Sequence, residues 1–125
     1  MRLTILAVIT IVGISQADND RLIQALIQVE SSGNDQAIGD GGLAVGCLQI
    51  HPIFVKDVNR IIGKDKYTLQ DRYSRAKSIE MANIYLNHYG GTIEERARKF
   101  NGGPNGHQKK ATENYWRKVK RELDR

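Results

Sequence analysis

Glu30 sits where a helix would bury it. Ile23, Leu26 and Ile27 lie seven, four and three residues before it, the spacing that lines one face of an α-helix. A carboxylate on an apolar face is costly in its charged form, and the negative end of the helix dipole adds to the cost. Both effects raise the pKa. A carboxylic acid still protonated near neutral pH has the state needed to give a proton to a leaving oxygen, such as that of a glycosidic bond. Periodicity alone leaves a plainer alternative open, a glutamate at a frayed helix end that reaches water or a neighbouring lysine. Other residues of this kind are sparse. His51, His88 and His107 share no ligand spacing with one another or with the single Cys47, so no metal or other cofactor is expected. Cys47 by itself reads as a small buried apolar residue.

The elements that must position Glu30 are mostly helices. Asp18, Asn19 and Asp20 are good N-caps ahead of Leu22, Ile23, Leu26, Ile27 and Val29, so a helix is expected to open there and to end near Gly33. Residues 34–48 are glycine-rich and aperiodic, as in a long loop or a short hairpin. Pro52 starts a second helix, with Phe54, Val55, Val58, Ile61 and Ile62 as its apolar side and Gly63 as its stop. The third and longest runs from about Ser74 to Tyr89, where Ile79, Ala82, Leu86 and Tyr89 share a face and Gly90-Gly91 close it. Thr92 and Glu95 form a capping box for a short helix through Ala97 and Phe100. Ala111, Tyr115, Val119 and Leu123 recur every four residues in a last helix. The fold class is therefore mainly α, with strand confined to the glycine-rich region.

Arg2, the apolar run Leu3 to Ile14 and the small-x-small pattern Ser15-Gln16-Ala17 read as an export leader over residues 1–17. The run is too short for a stable membrane span. Residues 18–125 are enough for one domain with one core. A lone cysteine allows no intramolecular disulfide, so packing must hold the fold. The net charge is +5, of which Arg2 supplies one, and it suits an anionic partner such as cell wall or a membrane surface. The basic residues gather late, in Arg117-Lys118 and Lys120-Arg121. With Trp116 the only aromatic among them, they read as the solvated face of a helix, and no nucleic-acid partner is expected.

Four blocks carry a family resemblance. Glu30-Ser31 followed by Gly46-Cys47-Leu48-Gln49-Ile50-His51-Pro52 resembles the paired signature of the bacterial soluble lytic transglycosylases, of the lysozyme-like superfamily. Phe100-Asn101-Gly102-Gly103-Pro104 resembles their Tyr-Asn-Ala-Gly-Pro block, and Tyr115-Trp116-Arg117-Lys118-Val119 their closing Tyr-Val-x-x-Val helix. Ala82-Asn83-Ile84-Tyr85-Leu86 sits where they carry an Ala/Gly-x-x-Tyr-Leu pattern. The order and spacing of four blocks are specific where any one is weak. The resemblance implies a lysozyme-like fold with a glycine-rich loop or small β-hairpin beside an active-site cleft. It implies that Glu30 is the sole acid and base, cutting between N-acetylmuramic acid and N-acetylglucosamine to leave a 1,6-anhydromuramyl end. Ser31, Gln49 and Asn101 would then serve substrate contacts, Tyr115 would orient Glu30, and Gly46 and Leu48 would shape the cleft floor. The implied partner is peptidoglycan glycan strands, met by a monomer in the periplasm or outside the cell; a secretion or phage assembly is a further setting of small members.

The chain also departs from the pattern. The family often has a serine nine residues after its glutamate, where this chain has Gly39 and then Asp40. Gly42-Leu43-Ala44-Val45-Gly46 holds one residue more than the usual Gly-Ala-Met-Gly, and Cys47-Leu48 replaces a common Leu-Met pair. Hydrolysis is the alternative outcome, because lysozymes of the hen-egg-white type share a Glu-Ser start and a Gly-Ile-Leu-Gln-Ile block. Their second carboxylate falls at Ala44 here, which disfavours two-carboxylate chemistry. Asp35 and Asp40 read as turn residues that could still serve as a base for water. A non-catalytic wall-binding module is the third reading.

Overall fold

Ser15 opens the first helix, ahead of the three residues expected to cap it. In the computed structural model, which describes residues 14–125, Ser15 Oγ accepts from the Asp18 N–H at 3.1 Å and α1 runs Gln16–Ser31. Asp18, Asn19 and Asp20 are thus inside the helix, and Asn19 is buried with its amide donating to Asn83 Oδ1 at 2.5 Å. The expected leader lies outside the described residues as far as residue 13. α1 stops one residue early as well: Ser32 takes the left-handed turn at φ 53, ahead of Gly33.

Next come two short strands, β1 (Ile38–Gly39) and β2 (Ala44–Val45), an antiparallel pair with Ile38 opposite Val45 and Gly39 opposite Ala44. Four helices follow: α2 (Pro52–Ile62), α3 (Arg75–Tyr89), α4 (Ile93–Gly102) and α5 (Glu113–Leu123). The mainly α architecture with a small hairpin is the one expected, and it is lysozyme-like. Its local punctuation follows the sequence: Pro52 in the first turn of α2, Gly63 as its left-handed cap, Ser74 as the cap of α3 and the Thr92–Glu95 box on α4.

α1 is the axis of the core. It packs against α3, α4 and α5, and Leu22, Ile23 and Leu26 are fully buried with Met81, Ala82 and Leu86 of α3, Ala97 of α4 and Val119 of α5. α2 lies on α3. Burying α1 on several sides fixes the direction of its last turn, where Glu30 projects.

Three cations inside the fold tie loops to helix ends. Arg72, in a 3-10 turn at Leu69–Tyr73 that shows no periodicity in sequence, donates to the carbonyls of Leu69, Leu43 and Ile50 at 2.9–3.0 Å. Arg96 donates to the Leu86 and Gly91 carbonyls, and Lys99 to those of Tyr89 and Gly90. Lys99 thereby satisfies carbonyls that the end of α3 leaves without helical partners. Arg72 in particular pins the hairpin, the wall of the groove, to the helical body.

Candidate active site

Glu30 opens into a groove of ≈ 870 Å³ between the hairpin, α2, α3 and the end of α4. Its carboxyl is held up at about 7 from the ordinary 4.5. Burial is the main cause. The Tyr115 hydroxyl, which donates to Glu30 Oε2 at 3.0 Å, works against it. Asp40 raises the value further, while His51 and Lys118 lower it. Near neutral pH the group is thus present in both states, acid enough to give a proton and basic enough to take one back.

The expected site residues divide into two sets. Gln49 and Asn101 line the groove with Glu30. Gln49 holds φ 50, and its amide nitrogen donates to the carbonyls of Ala37 and Gly46, each at 3.0 Å. Its nitrogen therefore braces the hairpin, and only its oxygen remains for a sugar. Asn101, exposed in the last turn of α4, stands on the opposite rim with Gly103 and Pro104. Tyr115 is behind Glu30 on α5 and bonds to the carboxyl itself. Ser31 is not among the residues that line the groove with Glu30. Its hydroxyl donates to the Cys47 carbonyl at 2.7 Å and accepts from the Gly33 and Asn34 N–H groups, so it fastens the end of α1 to the floor.

Gly46 and Leu48, expected at the cleft floor, are buried. Gly46 has φ 85, and its N–H donates to the Ala37 carbonyl at 2.8 Å. Phe54 stacks on Tyr85 at 4.4 Å between centroids and meets Phe100 edge-on at 5.4 Å. With Tyr89 they form an aromatic wall, a surface on which sugar rings can lie. At its far end Asp57 accepts from the Tyr89 hydroxyl at 2.6 Å and pairs with Arg60 at 2.8 Å. Asp40, a turn residue by sequence, reaches into the groove and meets His51 Nε2 at 2.8 Å. Asp35 instead pairs with Arg75 of α3 at 2.9 Å and is not part of the lining.

The Tyr115 contact makes a direct prediction. Tyr115→Phe removes a bond to the ionised carboxylate, so the Glu30 midpoint is expected to rise above its present value of about 7. Carbon-13 NMR of the labelled carboxyl across pH measures it; a downward move would mean that Tyr115 does not stabilise the anion.

Among curated proteins none matches the chain. The family model described as Transglycosylase SLT domain matches residues 13–123, a span that contains all five helices, the hairpin and the whole groove. Members of this family act on peptidoglycan, outside the cytoplasm. Lysozyme-like helices around a glutamate-bearing groove and a match over nearly the whole length agree, and the chain belongs to the SLT transglycosylase family.

Proposed function

We propose that this protein is an exported lytic transglycosylase that cleaves the β-1,4 bond between N-acetylmuramic acid and N-acetylglucosamine, with Glu30 as both acid and base. The observation that carries the reading is a single partly desolvated carboxyl, bonded to Tyr115 and opening into a groove with an aromatic wall. Protonated Glu30 gives its proton to the glycosidic oxygen as the C1–O bond breaks and positive charge develops at C1. The sugar's own C6 hydroxyl then attacks C1, and the Glu30 carboxylate takes the hydroxyl proton. The new C1–O6 bond closes a 1,6-anhydro ring, the glutamic acid is restored, and no water is consumed. Gln49 Oε1 and the Asn101 amide hold N-acetyl or hydroxyl groups of the strand, while Tyr115 aims the carboxyl.

Ala44 supports the anhydro outcome. It is buried on β2, at the position where a two-carboxylate lysozyme would carry its second acid. One observation favours hydrolysis as the second reading: the Asp40 carboxylate shares the groove with Glu30. The products separate the two. Digestion of purified cell wall followed by mass spectrometry is expected to give muropeptides lighter by one water than hydrolytic ones, with no reducing muramic end. Reducing ends as the main product would assign the hydrolase.

Delivery to the wall follows from the leader read over residues 1–17. Among the described residues no helix is long and apolar enough to cross a membrane. Residues 18–125 then form the working domain, and removal of the leader takes with it the Ser15 cap and the first two residues of α1, Gln16 and Ala17.

A further inference from the structure

Lys56 and Arg60 stand on a crest between two hollows. On one side is the groove that holds Glu30; on the other is a second hollow of ≈ 650 Å³, bordered by Lys64, Asp65, Tyr67, Thr68 and Leu69, to which the proposed reaction gives no task. Both cations line both hollows. They follow Ile53 by three and seven residues on α2, the spacing of a single helical stripe, and all three side chains are exposed. From Ile53 to Arg60 the stripe covers about 10 Å of helix. Arg60 is held in place: its Nε and Nη2 engage Asp57, Nη2 also donates to the Tyr89 hydroxyl, and Nη1 has no partner among the described residues. Lys56 and Lys64 are exposed, and their side chains make no hydrogen bond or ion pair among the described residues.

A glycan strand whose lactyl groups are capped by peptide has no charge on its sugars. A peptide joined to the lactyl group through its N-terminus ends in a free α-carboxylate, the group that guanidinium and ammonium donors bind most strongly. We propose that the second hollow receives the peptide branch of N-acetylmuramic acid, which leaves the strand over the Lys56–Arg60 crest with its carboxylate drawn to Lys56, Arg60 and Lys64. The inference rests on the transglycosylase reading and adds the form of the substrate: strands that still bear their peptides. Charge complementarity selects this occupant. Three cations border the hollow against Asp65 alone, while Glu30 and Asp40 lie in the groove on the other side of the crest. Asp57 does not oppose an incoming anion, because Arg60 and the Tyr89 hydroxyl already engage it. Leu69, 48% exposed, offers the small apolar side chains of a peptide a surface to cover.

The test is calorimetry with soluble muramyl oligosaccharides in a Glu30→Gln background, where the strand stays whole. One set bears its peptides; the other has lost them to an amidase, which leaves the free lactyl carboxylate in place. The unaltered hollow is expected to bind the peptide-bearing set about tenfold more tightly, a preference that shrinks as salt rises. Lys64→Glu with Leu69→Glu, both outside the Glu30 groove, should erase that preference and leave the peptide-free set bound as before. The milder pair Lys64→Gln with Leu69→Ser, and Lys56→Gln on the crest, should each weaken the peptide-bearing set about threefold. No preference in the unaltered hollow, or equal losses on both sets in both hollow variants, would overturn the branch site. Equal weakening of both sets by Lys56→Gln would make the lactyl carboxylate the anion that is read, and the peptide assignment would fall. Either failure with wall clearing by the wild type intact strikes the branch site alone. A wild type that clears no wall, with no binding of either set, strikes the transglycosylase reading as well.

Discussion

Glu30→Gln is expected to abolish clearing of cell-wall suspensions, by about 10³-fold or more, while making the protein more stable at pH 8. The first effect follows from the proposed role of Glu30 as sole acid and base: a positioned acid or base contributes roughly 10²–10⁴-fold, and on that proposal one group serves in both steps. The second follows from linkage. Below about pH 4.5 the carboxyl is protonated in folded and unfolded chain alike. As pH rises the unfolded chain releases its proton first, because the folded value is raised to about 7. Native stability therefore falls between these two values and stays reduced above them, by at most about 3 kcal/mol for a shift of this size. A glutamine carries no such cost, so the gain in melting temperature should be several degrees at pH 8 and vanish near pH 4. Equal clearing by variant and wild type would leave a binding module as the better reading. Equal melting temperatures at pH 8 would mean that the carboxyl is not desolvated.

The other large effect is expected at Gly46. A Cβ built there would stand 1.8 Å from the Arg72 carbonyl oxygen, in a backbone with φ 85. Relief requires the hairpin to separate from the turn that Arg72 fixes, and this is the same hairpin that Gln49 braces through the Gly46 carbonyl. Gly46→Ala is expected to cost about 3–5 kcal/mol from overpacking together with the left-handed conformation, and to reduce activity as the groove wall shifts. Gly63→Ala is the control. Gly63 is also left-handed, at φ 74, but nothing lies within 4 Å of a Cβ there, so about 1 kcal/mol is expected. Urea unfolding of both variants measures the difference, and equal losses would show that close approach to Arg72 is unimportant.

What could be seen in the sequence was what neighbouring residues decide. Gly63, Ser74 and the Thr92–Glu95 box mark helix ends because capping is settled within a few positions. The face that carries Glu30 was legible for a similar reason, because Ile23, Leu26 and Ile27 are buried on the same helix, but spacing alone left a half-buried acid and a frayed end as alternatives. The first cap was missed because Asp18, Asn19 and Asp20 compete with Ser15 on residue type, and burial of Asn19 against Asn83, far along the chain, decides among them. The Arg72 turn was silent because its bonds reach to Leu43 and Ile50. The aromatic wall was hidden for another reason. Phe54, Tyr85 and Phe100 keep the same helical spacing whether they fill a core or line a groove, and Tyr85 of α3 does both, buried in the core and lining the cleft. Asp40 looked like turn material because glycines surround it, and only the fold brings its carboxylate against His51, eleven residues on.

Cys47 has 1% of its surface exposed, and burial pushes its thiol above the ordinary range. Such a sulfur stays protonated and inert. Assembly of this domain therefore draws on no oxidant, and a reducing cytosol would support the same native state as an oxidising exterior. A chain able to cut glycan strands is then ready wherever it folds. On the proposed reading, delivery and not thiol chemistry is what separates it from the polymer its family attacks.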